Sequence, residues 1–99
     1  MQKIQNYING ELVDPIDGEY LDNYEPATGQ VYSQIPQSTN EDLESAVAAA
    51  EAAKKEWADM SAEDRSNLLI KLADAIDAAS DELAKAEAID NGKPITFAK

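Results

Sequence analysis

Residues 60–94 read MSAEDRSNLLIKLADAIDAASDELAKAEAIDNGKP, and the rest of the chain is organised around them. Leu69, Leu72, Ile76, Ala79, Leu83 and Ala86 recur at steps of three and four, with Leu68, Ala73 and Ile89 alongside. That spacing puts one apolar stripe on one face of a helix. Ser61 with Asp64 three residues on has the form of a capping box, with Asp in place of the usual Glu. At the other end Asn91-Gly92 is a C-cap signal, and Pro94 forbids simple continuation. A helical run over about 61–90 is therefore expected. The stretch 78–81 offers a break, because Ser80 can act as a second N-cap. A helix cannot bury its own stripe, and the rest of the chain supplies only part of a cover.

Upstream, Ser38-Thr39-Asn40 opens an earlier helix, with Thr39 or Asn40 able to accept from the first turn's free N–H groups. Glu41, Asp42 and Glu44 sit near the positive end of its macrodipole, and Lys54 and Lys55 near the negative end. Leu43, Ala46, Val47, Ala50, Ala53 and Trp57 form its stripe, so it is expected to span about 40–59. Trp57, in phase with that stripe, is read as a core or docking side chain rather than a ligand-stacking platform.

The first 36 residues read as two hairpins, over about 4–35. Asn9-Gly10 between Tyr7-Ile8 and Leu12-Val13 suits a type I′ turn, and Pro15 stops the second strand. Asp17-Gly18 marks a loop. Strands at 20–24 and 31–35 flank the tight turn Pro26-Ala27-Thr28-Gly29, with Val31 and Ile35 on one face and Tyr32 on the other. Taken alone, the chain is expected to be α+β: two N-terminal β-hairpins, then two or three helices. The segment 95–99 looks like the first turn of a helix that the chain does not complete, so a truncated piece of something larger is expected.

Composition excludes several functions. The chain has 99 residues and a net charge of -12, with 20 acidic against 8 basic residues. Nucleic acids and anionic lipid surfaces are bound through Lys and Arg clusters that are absent here. Neither nucleic acid nor membrane is an expected partner. No Cys and no His occur. Disulfides, the usual zinc ligands, a thiol nucleophile and an imidazole base are therefore excluded within these residues. The missing Cys fits a reducing compartment. There is no apolar signal segment at the start and no window fit to span a bilayer, so a cytoplasmic location is expected.

Few residues invite chemistry. Gly10, Gly18, Gly29 and Gly92 are too dispersed for a nucleotide fingerprint, and each has a turn or cap to explain it. Asp74, Asp77 and Asp81 form a solvated acidic stripe without a pocket. Asp90 is less easily dismissed: its charge at a helix C-terminus opposes the macrodipole. Capping the next turn would explain it, and so would binding a cation alongside backbone carbonyls, with capping the first choice on local chemistry.

Three stretches taken together go further. Residues 6–13 (NYINGELV), 25–31 (EPATGQV) and 90–94 (DNGKP), in this order and with these helices between them, resemble the N-terminal portion of NAD(P)-dependent aldehyde dehydrogenases. Residues 68–75 look like that family's second helix, and Met60-Ser61 like its approach. The tyrosines at Tyr24 and Tyr32 are similar to the branch acting on 2-aminomuconic and hydroxymuconic semialdehydes. The resemblance implies a parent chain several times this length with a Rossmann-type α/β cofactor domain, a catalytic domain and an oligomerisation arm. Residues 1–99 would be the N-terminal portion of the NAD(P)-binding domain. The parent would oxidise an aldehyde to a carboxylic acid with NAD or NADP, through a cysteine nucleophile, a glutamate base and an asparagine in the oxyanion hole. It would assemble as a homodimer or homotetramer.

None of those catalytic or cofactor-binding residues is implied for this chain, so the piece alone is expected to be structural and inactive. What the resemblance carries over is a structural Na⁺ or K⁺ site. Its ligands would be the Asp90 carboxylate and the carbonyls of Asn23 and Tyr24. Glu25 stands where the family commonly has Asn, which adds a carboxylate beside that site. The competing expectation, from a different class, is an independent acidic α+β protein-binding module that buries its own stripes.

Overall fold

Asn9 and Gly10 both have positive φ, 53° and 80°, the pair of left-handed residues that a type I′ turn demands. They join β2 (Asn6–Ile8) to β3 (Glu11–Val13), paired antiparallel with Asn6 opposite Val13, Tyr7 opposite Leu12 and Ile8 opposite Glu11. The computed structural model describes residues 2–99. In it the chain divides into two compact units.

The first unit comprises the residues up to Tyr24 together with Val31–Trp57. Its larger sheet has the order β1-β5-β4, with β1 at Gln2–Lys3, β4 at Tyr20–Glu25 and β5 at Gln30–Pro36. Strands β4 and β5 are the second expected hairpin, closed far from its turn by the Gln37 N–H donating to the Glu19 carbonyl at 2.9 Å. Strand β1 was not expected. It runs parallel to β5, with Gln2 beside Ser33 and Lys3 beside Gln34, and the Ile4 N–H continues the ladder to the Gln34 carbonyl at 2.8 Å. The first hairpin therefore starts at Asn6 rather than at residue 4, because residues 2–4 are already bonded to the other sheet. On β5, Ser33 lies between Val31 and Ile35 on one face and is fully buried. Helix α1 (Asn40–Asp59) ends where the apolar stripe predicts.

The second unit holds the turn at Glu25–Gln30 and the residues Ala58–Lys99. Ser61 caps α2 (Ala62–Ala78) by accepting from the Asp64 N–H at 3.0 Å. The expected break falls at Ala79, but Ser80 does not cap it. Ala79 occupies that position with φ -100° and ψ 12° and offers no side-chain acceptor. Its own N–H is shared between the carbonyls of Ala75 and Ile76, at 3.1 and 3.2 Å, which tightens the last turn of α2. Helix α3 (Ser80–Asn91) then begins in Ser80 itself. It stops at Gly92, φ 80°, whose N–H returns to the Ala88 carbonyl at 2.9 Å. A Cβ at Gly92 would meet the Pro26 ring at 3.5 Å, so the 25–30 turn lies against this cap. The short helix α4 (Ile95–Ala98) packs on α3.

Among the described residues Ala84 is the one buried aliphatic or aromatic side chain, with Pro15 buried beside the first hairpin. The helical stripes face solvent.

Candidate functional site

The polar side chains that the fold fixes most firmly lie in the first unit. Asp42, in the first turn of α1, is 4 % exposed. Its Oδ2 accepts from the Thr39 N–H at 2.9 Å and its Oδ1 from the Ile16 N–H at 2.9 Å. The Thr39 hydroxyl lies 3.4 Å from the same Oδ2. Sequence reasoning gave the capping role to Thr39 or Asn40; here Asp42 reaches back to cap Thr39 and also holds the 14–17 loop. The signal was present, since Thr39-x-x-Asp42 has the same spacing as Ser61-x-x-Asp64. Bonds from the Thr39 and Ile16 N–H groups hold the Asp42 carboxyl below its ordinary value, against the opposing effect of burial.

A second cluster is exposed. The Tyr20 hydroxyl donates to Asp14 Oδ1 at 2.5 Å, and the Gln5 amide donates to the same oxygen at 3.1 Å. Lys3 Nζ stands 4.7 Å from the centre of the Tyr20 ring. The bond to Asp14 pushes the Tyr20 phenol up to about 12, and the same bond is the main cause that lowers the Asp14 carboxyl.

The three residues assigned to a cation are placed as follows. Asn23 and Tyr24 lie on β4 in the first unit, and Asp90 lies two residues before the Gly92 cap in the second. The Asn23 amide donates to Ser33 Oγ at 3.1 Å and to Tyr32 Oη at 3.2 Å. Its side-chain NH₂ is thus engaged within the sheet. Carboxylate and carbonyl oxygens are the hard donors that suit such an ion. The described residues hold no group of three or more His, Cys, Asp or Glu able to grip a metal by themselves. Asp74, Asp77 and Asp81 are exposed, and Asp81 pairs with Lys99 at 3.6 Å.

Without Cys or His, these clusters offer neither a thiol nor an imidazole. What they do is fix backbone. The larger unsatisfied feature is apolar: Leu68, Leu69, Leu72 and Ile76 on α2 are 45, 57, 56 and 51 % exposed.

Comparison with known proteins addresses that feature. The family profile described as Aldehyde dehydrogenase family matches residues 13–99. The chain is 48 % identical over 91 residues to the long-chain-aldehyde dehydrogenase of an Acinetobacter species, covering 92 % of this chain and 18 % of that one. It is 43 % identical to the 2-aminomuconic semialdehyde dehydrogenase of Bos taurus, covering 97 % and 19 %. The aldehyde dehydrogenase of Bacillus cereus, solved as an NAD⁺ complex, superposes with a TM-score of 0.93 at 41 % identity, over 98 % of this chain and 20 % of that one. The chain thus spans about a fifth of the length of the relatives it matches.

Proposed function

The chain belongs to the aldehyde dehydrogenase family, and we propose that its 99 residues form the N-terminal portion of the NAD(P)-binding domain of an enzyme that oxidises an aldehyde to a carboxylic acid. In that enzyme NAD or NADP supplies the hydride acceptor. The four glycines here stand singly in turns or a cap, and on this reading the cofactor is held by other parts of the protein. The role of the 99 residues is to buttress, not to react.

The observation that carries this reading is the uncovered face of α2. Fully burying a Leu or Ile is worth ~1.5–3 kcal/mol, so four such side chains left about half exposed represent several kcal/mol of unused driving force. An independent binding module would have to spend that driving force on its own core, and the described residues bury almost none.

The test has two arms. Purified residues 1–99 should produce no NADH or NADPH from any aldehyde. The full-length gene product should do so, and should lose the activity when its nucleophilic cysteine is replaced. Turnover by the 99 residues, or a full-length product without aldehyde-dependent reduction of NAD(P)⁺, would overturn the reading. The same reading gives the full-length protein a homodimeric or homotetrameric assembly. It also gives Asp90, with the carbonyls of Asn23 and Tyr24, an Na⁺ or K⁺. Asp90→Ala should then abolish any rise in melting temperature that alkali ions give the full-length enzyme.

A further inference from the structure

Arg65 is the chain's single arginine. It lies one turn into α2, and residues 65, 68, 69, 72 and 76 follow the steps of three and four that share a helix face. Four of the five are the exposed Leu68, Leu69, Leu72 and Ile76. Arg65 is only partly exposed, and its Nε is shut off from water with no hydrogen-bond partner. Leaving such a donor unpaired costs stability. Its cation also stands near the positive end of the α2 macrodipole, where it is disfavoured. A cation that this chain leaves partly exposed therefore heads an apolar face that it leaves exposed.

We infer that this face receives a later segment of the full-length chain, apolar except for one carboxylate set against Arg65. The inference rests on the reading of the chain as part of a longer enzyme. An apolar cover closing over a guanidinium removes a charge from water, which a countercharge offsets and a neutral carbonyl does not. The planar fork of the guanidinium matches two carboxylate oxygens. A second copy of this face is the poorer occupant. A two-fold contact sets a patch on itself, and none of this face's five residues is a carboxylate that could meet Arg65. The relatives are about five times as long as this chain, so a full-length protein has the material to cover it.

The probe is phenylglyoxal, which modifies guanidinium groups, read by peptide mass in the 99-residue chain and in the full-length enzyme. Arg65 should react about tenfold or more slowly in the full-length enzyme, as a group exposed only by local opening does. That protection should not change with protein concentration. In full-length Arg65→Lys and Arg65→Met, the lysine variant should keep the higher melting temperature, because it keeps the charge. Equal labelling in the two proteins would overturn the inference. So would protection lost on dilution, which means a second copy, or equal loss in both variants, which means that no group opposite responds to the retained charge. A full-length enzyme that oxidises aldehydes while its Arg65 labels freely would sink this inference and leave the family reading standing. Should both variants fail to fold, the labelling of the wild-type proteins decides alone.

Discussion

The two units are held together by different means. In the first, side chains reach across long stretches of sequence. The Asn6 amide donates to Ser38 Oγ, 32 residues away, and the Ile16 N–H to Asp42, 26 residues away. In the second, the bonds are mostly local: Ser61 to Asp64, Ala79 to Ala75, Gly92 to Ala88. Loops and short strands leave backbone groups that polar side chains must satisfy. Helices satisfy their own backbone and leave only a greasy face to be covered. The first unit therefore has its polar fixings inside these 99 residues, whereas the helical faces, Leu43 and Val47 of α1 included, are left exposed and on the proposed reading take their cover from outside them.

Leu72→Ala probes that difference most severely. In the 99-residue chain Leu72 is 56 % exposed, so the substitution should cost about 0.5 kcal/mol or less, as surface changes do. In the full-length enzyme the same change should cost ~2–5 kcal/mol, the range for a buried leucine. Denaturant unfolding of both pairs measures it. Equal costs would mean that nothing covers α2 in the parent and that the contrast between the units is false.

Asp42→Asn attacks the first unit at its firmest point. An amide can accept from one of the two N–H groups that the carboxylate now serves, and its NH₂ would meet the other. Amide exchange should accelerate at Ile16 and Thr39 and leave the Ala62–Ala78 helix unaffected. The pH dependence has a defined sign. The folded-state carboxyl lies below its ordinary 3.8, so its contribution is present above that value and lost as pH falls through the depressed one. In the asparagine variant this part of the acid sensitivity should vanish. A wild-type chain whose Ile16 and Thr39 amides exchange as fast as those of the variant would show that Asp42 holds neither segment.

In the second unit the corresponding fixed point is backbone rather than side chain. Gly92 has φ 80°, where an L side chain is strained, while the Pro26 ring at 3.5 Å is ordinary contact distance. Gly92→Ala should therefore cost ~1–2 kcal/mol from the backbone alone. An unchanged melting temperature would mean that α3 does not end in a left-handed residue.

Legibility in the sequence followed the same division. Features decided by neighbours were readable: the Asn9-Gly10 turn, the Gly92 cap and the end of α1 at Asp59. Strand β1 was not, because two residues carry no periodicity and its partner Ser33 lies far along the chain. Nor was the double grip of Asp42, since the bond to Ile16 depends on where a loop lands. The break after α2 was placed correctly for the wrong reason. Ser80 had the chemistry of a cap, but Ala79 left the helical region first. The bonds of the Asn23 amide to Ser33 and Tyr32 were not readable either, because they cross between strands.

The exposed cluster around Tyr20 is the polar fixing of the first unit with least at stake, because water competes for every bond in it. Its signature is spectroscopic. Subtracting the ultraviolet pH titration of Tyr20→Phe from that of the wild type should isolate a phenol ionising at about 12. Asp14→Asn removes the negative acceptor and should bring that phenol down toward its ordinary 10.0. The raised phenol stabilises the folded state below pH 10.0 and loses that contribution as pH rises through about 12. The lowered Asp14 contributes above its ordinary 3.8 and loses its part as pH falls through the depressed value. The link that ties Asp14 to the start of β4 thus spans the whole neutral range, and Lys3 over the ring extends it to β1. If Tyr20 ionises at its ordinary value in the wild type, Asp14 does not hold it, and this cluster adds nothing to the side-chain bonds that set the first unit apart.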